Sequence, residues 1–302
     1  MRKEFTQAIE KLALQDEKII FITGDLGYNA FENLQGSLKE RFINVGVAEQ
    51  NMISVAAGMA HKGYKVFCYS IAPFIIYRCL EQFRNDVCLH DLPVFLVGNG
   101  GGYGYGIMGS THHALEDLAC INGLQNVKSW IPAFNDDVEK ILPIIIEKKH
   151  PAYLRLNNSK QSLQSHIFSP YFNKIEISSL AKATIIVLGP LINNVLSALE
   201  ELNLKNMFDV YTVTTLPLIL IEELKSSIQK TNNVVVIEEH VQVGGVAQQL
   251  AVSLLEQKIK INNFISLYAK GYPGGLYGDQ NFHQKESGLD SENIRNILIQ
   301  LL

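Results

Sequence analysis

Apolar and polar positions along this chain follow two rhythms that take turns from one end to the other. Short runs rich in β-branched and aromatic residues have the length and make-up of buried strands: "KIIFIT" (18–23), "YKVFCYS" (64–70), "LPVFLVG" (92–98), "NVKSWI" (126–131) and "AYLRL" (152–156). Between them, "NMISVAAGMAHK", "FIIYRCLEQFRNDVCLH" and "DDVEKILPIIIEKK" repeat their apolar positions at helical spacing. Strands separated by helices imply right-handed crossovers and a mostly parallel sheet. The rhythm breaks over residues 157–174, "NNSKQSLQSHIFSPYFNK", which has no clear period and reads as a linker. It restarts with "ATIIVLG" (183–189), "NNVLSALEELN", "FDVYTVTTL" (208–216), "IEELKSSIQK", "NNVVVIEEH" (232–240), "GVAQQLAVSLLEQK" and "NNFISLYAK" (262–270), and ends on a helix, "SENIRNILIQLL". The pattern predicts two α/β domains in tandem, divided near residue 170, without internal repeats.

Composition narrows the function classes. The chain has 302 residues, enough for two domains, with 47% apolar and 19% charged positions, the balance of a well-packed soluble protein. A net charge of −4 and a pI near 6.1 argue against a polyanion-binding surface. The four cysteines, Cys68, Cys79, Cys88 and Cys120, lie in or beside apolar runs without metal-ligand spacing, and are expected to be buried reduced thiols. "MRKEFTQAIEKLAL" reads as an amphipathic helix without the apolar core of a signal peptide. No run reaches the roughly 20 apolar residues that cross a bilayer. A cytoplasmic location is expected.

In open α/β sheets, chemistry gathers in the loops beyond the carboxyl ends of strands. Three such loops stand out. "FITGDLGYN" places Asp25 after a strand, and "RFINVGVAEQNM" leads from a strand to Glu49 at a helix start. "VGNGGGYGYGIMGSTHHALED" is a glycine-rich loop ending in His112, His113, Glu116 and Asp117. The glycine-rich loop matches neither GxGxxG opening a helix nor GxxxxGK[ST], so its glycines suit close backbone approach to a ligand or another chain, or a flexible lid. His112 suits proton exchange with, or hydrogen bonding to, a reacting oxygen. His113 reads equally well as packing or a cap, and Glu116 and Asp117 suit a helix dipole. Glu49 has two readings. A carboxylate in a helix's first turn is ordinary, whereas one among Val45, Val47, Ala48, Met52, Ile53 and Val55 is a desolvated acid fit for proton exchange.

With these residues in hand, the chain resembles the C-terminal part of transketolases, and more specifically the separate C-terminal subunit of split, two-gene transketolases. The resemblance rests on "INVGVAEQNMISVAAGMA", "FRNDVCLHDLPVFLVG" and "GSTHHALEDLACINGLQNVKSWIPA", in the family's order and spacing. It implies a thiamine diphosphate-binding pyrimidine domain over residues 1–168 and a transketolase C-terminal domain over 175–302, matched more loosely through "VVVIEEH" and "GGVAQQLA". Within that resemblance, Glu49 corresponds to the glutamate that hydrogen-bonds N1′ of the aminopyrimidine. Phe74 and Tyr77 correspond to aromatics packed against that ring, with Ile71 where another aromatic often sits. Asp25 matches an acid near the cofactor, and His112 a histidine that contacts donor and intermediate oxygens. Arg2 and, more approximately, Asn29 fall on positions of phosphate and substrate recognition.

Three positions depart from the pattern. Gly100 stands where many members carry a histidine that contacts substrate oxygens, and Met108 where they carry an aspartate that reads a hydroxyl. Asn158 stands where they often carry an arginine that clamps the substrate phosphate. The resemblance thus implies retained cofactor chemistry with shifted substrate recognition, modified or nucleotide-linked sugars being candidates. "TGDLGYNAFEN" lacks the metal-binding GDG…N segment of thiamine enzymes. No metal ligand is therefore expected in this chain, and Mg²⁺ (or Ca²⁺) with the diphosphate is expected on a partner N-terminal subunit in an α2β2 assembly. Two alternatives remain: a β subunit of the first component of a 2-oxoacid dehydrogenase, against which the short "FRNDVCLHDLPV" link and the THH element weigh, and a catalytically silent structural subunit.

Overall fold

The structure, a computed structural model, describes residues 1–27, 29–160, 166–201 and 204–302. Its first sheet holds β1 (Ile19–Thr23), β2 (Phe42–Asn44), β3 (Lys65–Ile71), β4 (Val94–Asn99), β5 (Lys128–Trp130) and β6 (Ala152–Leu156), all parallel. The second holds β7 (Phe172–Glu176), β8 (Ala183–Leu188), β9 (Phe208–Val213), β11 (Asn233–Glu238) and β12 (Asn263–Tyr268), with β7 antiparallel to β9. The short β10 (Thr215–Leu216) leaves the second half of the chain and pairs antiparallel with β5. Strand order is therefore β10-β5-β6-β4-β3-β1-β2 in one sheet and β12-β11-β8-β9-β7 in the other.

Strand periodicity sorts the first sheet's two faces. Phe21, Phe67 and Phe95 point to one side and meet the helices Arg2–Gln15 and Asp137–Lys148 through Phe5, Ile9, Val138 and Ile141. The residues one step on, Ile22, Cys68 and Leu96, point to the other side and meet Met52, Ile53, Ala56 and Ala57 of helix Glu49–His61. Both faces are covered, which is why these strands read as continuous apolar runs. The small residues of "SVAAGMA" let the helix lie close on the sheet, and its first turn comes out at the carboxyl edge, beside the ends of β1, β2 and β3.

Three expectations need correction. "FDVYTVTTL", read as one strand, splits at Thr214, and its last two strand residues serve the other sheet. "FIIYRCLEQFRNDVCLH", read as one helix, breaks into Ala72–Tyr77, Leu80–Gln82 and a wide-turn segment Phe83–Cys88, because apolar spacing records which positions are buried and not whether the axis is continuous. β7 begins inside the stretch read as a linker, where an alternation only a few residues long is too short to announce a strand. Residues 161–165 of that stretch, like Tyr28, lie outside the described residues. The four cysteines are free thiols, three of them buried and Cys120 partly so.

The two halves are joined through buried polar groups. Arg155 of β6 reaches Asp117 with Nε at 2.7 Å and Nη2 at 3.2 Å, and donates from Nη2 to the carbonyls of Ala114 and Glu239. Tyr153 donates its hydroxyl to the same Asp117 at 2.7 Å. Glu239 accepts from the Tyr103 backbone at 2.6 Å and from the side chains of Gln280 and Gln284. Its neighbour Glu238 accepts the Val246 and Ala247 amides that open helix Val246–Glu256. Asp117, placed on a helix dipole by its sequence position, is thus the buried anchor of the domain contact.

Burial pushes the Glu238 carboxyl up to about 7, against the opposing pull of those two amides. A folded-state value above the unfolded 4.5 contributes stability below pH 4.5 that is lost as pH rises through about 7. Glu238→Gln removes that titration. The stability of wild type relative to the variant is expected to fall between pH 4.5 and 7 and to level off above, as read by urea unfolding at several pH values; a difference independent of pH refutes the assignment.

Candidate active site

Glu49 opens its helix from a loop that other residues set. Gly46 takes a φ of +73°, and Asn44 Oδ1 accepts both the Gly46 and Asp25 amides at 3.0 Å, lashing the loops after β1 and β2 together. Asn44 Nδ2 also donates to Asp25 Oδ1 at 3.2 Å. A Cβ on Gly24 would lie 3.8 Å from Glu49 Oε1, so the loop carrying Asp25 passes directly behind the acid.

Glu49 is 3% exposed. Its carboxylate accepts from Ser70 Oγ at 3.1 Å and from Arg78 Nη1 at 3.1 and 3.0 Å. The Arg78 guanidinium lies 3.7 Å above the centre of the Phe74 ring, a cation–π contact, while its side chain stays 43% exposed. Glu49, Arg78, Val47, Ala48, Gln50 and Asn51 line a cavity of about 560 Å³. The sequence left an ordinary first-turn carboxylate and a desolvated acid both open. Glu49 stands in the first turn of its helix and is buried, but Met52 and Ile53 pack on the sheet, and the carboxylate has one hydroxyl and one cation beside it. Arg78 was missed, although Phe74 and Arg78 are four residues apart, the spacing that places two side chains on one face of a helical turn.

From Phe74 the wall of the site continues. The His112 ring meets the Phe74 ring edge-on at 5.2 Å and lies 5.9 Å from the Tyr105 ring; its Nδ1 is 3.0 Å from Thr111 Oγ1. His113 turns the other way. Its ring nitrogens bond the Tyr272 hydroxyl and the Gly106 carbonyl, each at 2.8 Å, it packs on Tyr103 and His283, and burial lowers its pKa. The two adjacent histidines therefore divide, one toward the site and one into the domain contact. Tyr77 exchanges hydrogen bonds with Glu116, and Ile71 is the buried last residue of β3, in register with Asn99 of β4.

The remaining candidates are spread around this wall. Gly100 sits at the end of β4 with a φ of +78°, Met108 is exposed in the turn Gly106–Met108, and Asn158 is exposed beyond β6 with its amide on Asn157 Oδ1. Arg2 and Asn29 meet in a separate cavity of about 330 Å³, along with Thr6, Glu10 and Glu32. A further cluster, Asp136, Asp137 and His166, has metal-ligand proximity, but Lys140 lies 3.0 Å from Asp136 and Asp137 caps the Ala133 and Phe134 amides.

Comparison with known proteins decides the family. The transketolase pyrimidine binding domain matches residues 1–164, and the transketolase C-terminal domain matches residues 175–274. The chain belongs to the transketolase family. It is 26% identical over 300 residues to a subunit of the apulose-4-phosphate transketolase of Phocaeicola vulgatus, covering 97% of this chain and 94% of that one. It is 30% identical over 271 residues to the corresponding subunit from Actinobacillus succinogenes, covering 87% and 85%. The 1-deoxy-D-xylulose-5-phosphate synthase of Clostridium perfringens is 27% identical over 309 residues, which span 99% of this chain and 48% of that longer protein. Among solved structures, a split-gene transketolase described as an inactive β4 tetramer has a TM-score of 0.84 at 26% identity, covering 100% of this chain and 97% of its own. The transketolase of Leishmania mexicana shares the fold, with a TM-score of 0.79 at 16% identity over 99% of this chain and 45% of its own.

In this transketolase-family chain the ion pair at Glu49 carries a direct test. Arg78→Met keeps an unbranched apolar stem but removes the guanidinium, and with it the cation–π contact on Phe74, leaving the buried carboxylate with Ser70 alone. The variant is expected to lose about 2 kcal/mol of stability in urea unfolding at neutral pH; an unchanged midpoint refutes the pairing.

Proposed function

We propose that this chain is the C-terminal subunit of a thiamine diphosphate-dependent transketolase, which moves a two-carbon ketol unit from a ketose donor to an aldose acceptor. The observation that carries this reading is the buried Glu49 carboxylate at the carboxyl edge of the first sheet, with the Phe74 ring and the His112 imidazole following it along one wall. Such a carboxylate fits a protonatable ring nitrogen, and the aromatic face beside it fits a flat heterocycle. When bound, thiamine diphosphate supplies a nucleophilic thiazolium carbon.

In this reading Glu49 holds a proton at the pyrimidine nitrogen, which requires the Arg78 guanidinium to release one carboxylate oxygen. Phe74, Tyr77 and Ile71 form the surface around the ring, and Asp25 stands behind Glu49. His112 hydrogen-bonds substrate oxygens. Arg2, Asn29, Gly100, Met108 and Asn158 border the substrate, with residues 1–168 as the cofactor-facing domain and 175–302 as the second. The neutral Gly100, Met108 and Asn158 support a sugar other than an ordinary pentose or hexose phosphate, a modified or nucleotide-linked sugar among them.

A partner N-terminal subunit completes the site by holding the diphosphate and Mg²⁺ (or Ca²⁺), in an α2β2 assembly in the cytoplasm. Three observations support it. Val47, Ile107, Met108 and Leu276, on loops of both domains, leave large apolar side chains exposed. Two relatives are named as subunits, and the split-gene neighbour of β chains alone is described as inactive.

The test reconstitutes the pair with its cofactor and follows release of the shortened aldose from candidate ketoses. Glu49→Gln is expected to cut turnover by at least about 100-fold with unchanged circular dichroism; retained turnover overturns the role of Glu49. Thiamine diphosphate binding as tight to the isolated chain as to the pair overturns the partner. Ordinary efficiency with xylulose 5-phosphate and ribose 5-phosphate overturns the substrate shift.

A further inference from the structure

The glycine-rich loop does two jobs, and only one is closing the domain contact. A Cβ on Gly101 would lie 2.6 Å from Arg155 Nε, and one on Gly102 2.3 Å from Glu239 Oε1, so these two glycines let the loop press against the buried Arg155 and Glu239 side chains. Gly100 and Gly104 serve a different neighbour. A Cβ on Gly100 would fall 2.2 and 2.3 Å from two atoms of the Tyr105 ring, and one on Gly104 would fall 2.9 Å from the Gly100 Cα. The loop therefore folds back on its own start, and the Cδ2–Cε2 edge of the Tyr105 ring fills the space beside residue 100. No side chain at position 100 can coexist with it.

Two tyrosines, two residues apart, fix that arrangement. Tyr103 is fully buried in the second domain, donating its hydroxyl to the Gly271 carbonyl at 2.8 Å and stacking on His283 at 4.9 Å. Tyr105, half-buried, turns toward His112 instead. Its oxygen accepts from Asn99 Nδ2 at 3.0 Å. That bond takes an acceptor position of the phenol and leaves its proton to be donated, and among the described residues no acceptor takes it.

We infer that Tyr105 is a substrate-binding, specificity-determining residue, whose phenolic O–H donates to a neutral hydroxyl or carbonyl oxygen of a sugar bound alongside it and His112. The inference rests on the transketolase reading above and extends it to the far end of the site. Glu49 and Arg78 make one end ionic. Tyr105, His112 and Asn99 make the other a row of donors and acceptors beside aromatic faces. Such a row recognises the hydroxylated carbons of a sugar, whereas a phosphate is better served by guanidinium or ammonium groups. Asn99 acts through Tyr105 and is a positioning residue.

The chemical test uses the reconstituted pair with L-erythrulose, an uncharged four-carbon ketose, as donor and saturating D-ribose as acceptor: two carbons of the ketose pass to the aldose and the other two leave as glycolaldehyde. Tyr105→Phe keeps the ring beside Gly100 and removes only the donor. It is expected to raise KM for erythrulose about 10-fold, with kcat much less affected and calorimetric thiamine diphosphate affinity unchanged. An unchanged KM beside an active wild-type pair overturns the inference. A wild-type pair that releases no glycolaldehyde from erythrulose, or shortened aldose from any other ketose, overturns the transketolase reading on which it stands. The geometric half is tested on the chain itself by a double-mutant cycle in thermal unfolding. Gly100→Ala is expected to destabilise the wild-type background more than the Tyr105→Ala background, because the ring is what the new methyl meets. Additive effects place the ring elsewhere and overturn it.

Discussion

The Asp117–Arg155 ion pair is the interaction on which the rest of the arrangement depends. Both groups are almost wholly buried, and burying two charges costs several kcal/mol unless their remaining hydrogen-bonding positions are filled. Here they are: Tyr153 donates to the carboxylate, and the guanidinium also reaches the carbonyls of Ala114 and Glu239. Those partners come from a strand of the first sheet, from the loop that carries His112, and from the end of β11 in the second sheet. One satisfied pair therefore fixes three parts of the molecule in a mutual position, and a well-packed hydrophobic substitute would supply no such directional constraint.

Placement of the functional side chains follows from that anchor. The glycine-rich loop passes between Arg155 and Glu239 with no room for a Cβ at Gly101 or Gly102, so its path is set by those two side chains. Tyr103 then locks into the second domain, and the loop returns across Gly100 to bring Tyr105 and, after a turn, His112 to the wall begun by Phe74. Glu49 is positioned independently, by the helix on the opposite face of the sheet and by the Asn44 bonds that tie two loops together. Two rigid constraints thus converge from different layers on the Phe74 ring, which Arg78 and His112 both touch, as a site held on packed elements and not on a free loop requires.

Much of this was legible in the sequence, for a physical reason. Strands and helices announce themselves because burial on both sheet faces leaves apolar runs and stripes, and a carboxylate or a histidine pair after a strand marks the sheet's carboxyl edge. The transketolase domains matching residues 1–164 and 175–274 accord with the two-domain fold class read from the alternation. What the sequence did not disclose depends on contacts made across distance. Nothing local says that Asp117, in the first turn of its helix, also pairs with Arg155, that Leu216 crosses to the other sheet, or that Arg78 covers Glu49. Gly100 is the sharpest case. As a sequence feature it is a lost side chain, and only the fold shows another residue's ring lying in that space.

That exchange bears on how a site of this kind can change its substrate without changing its chemistry. The ionic end, Glu49 with Arg78 and Ser70, is held by the first sheet and its helices. The neutral end, Tyr105 with His112 and Asn99, is held by a loop whose shape the second domain sets through Tyr103 and Glu239. Because the two ends hang from different supports, a change in the loop reshapes one while leaving the acid undisturbed. On the role proposed for Tyr105, a small residue at the strand end and a ring five positions later offer a donor from a different direction. Recognition then depends on backbone path as much as on residue identity, and position-by-position matching of side chains cannot follow it.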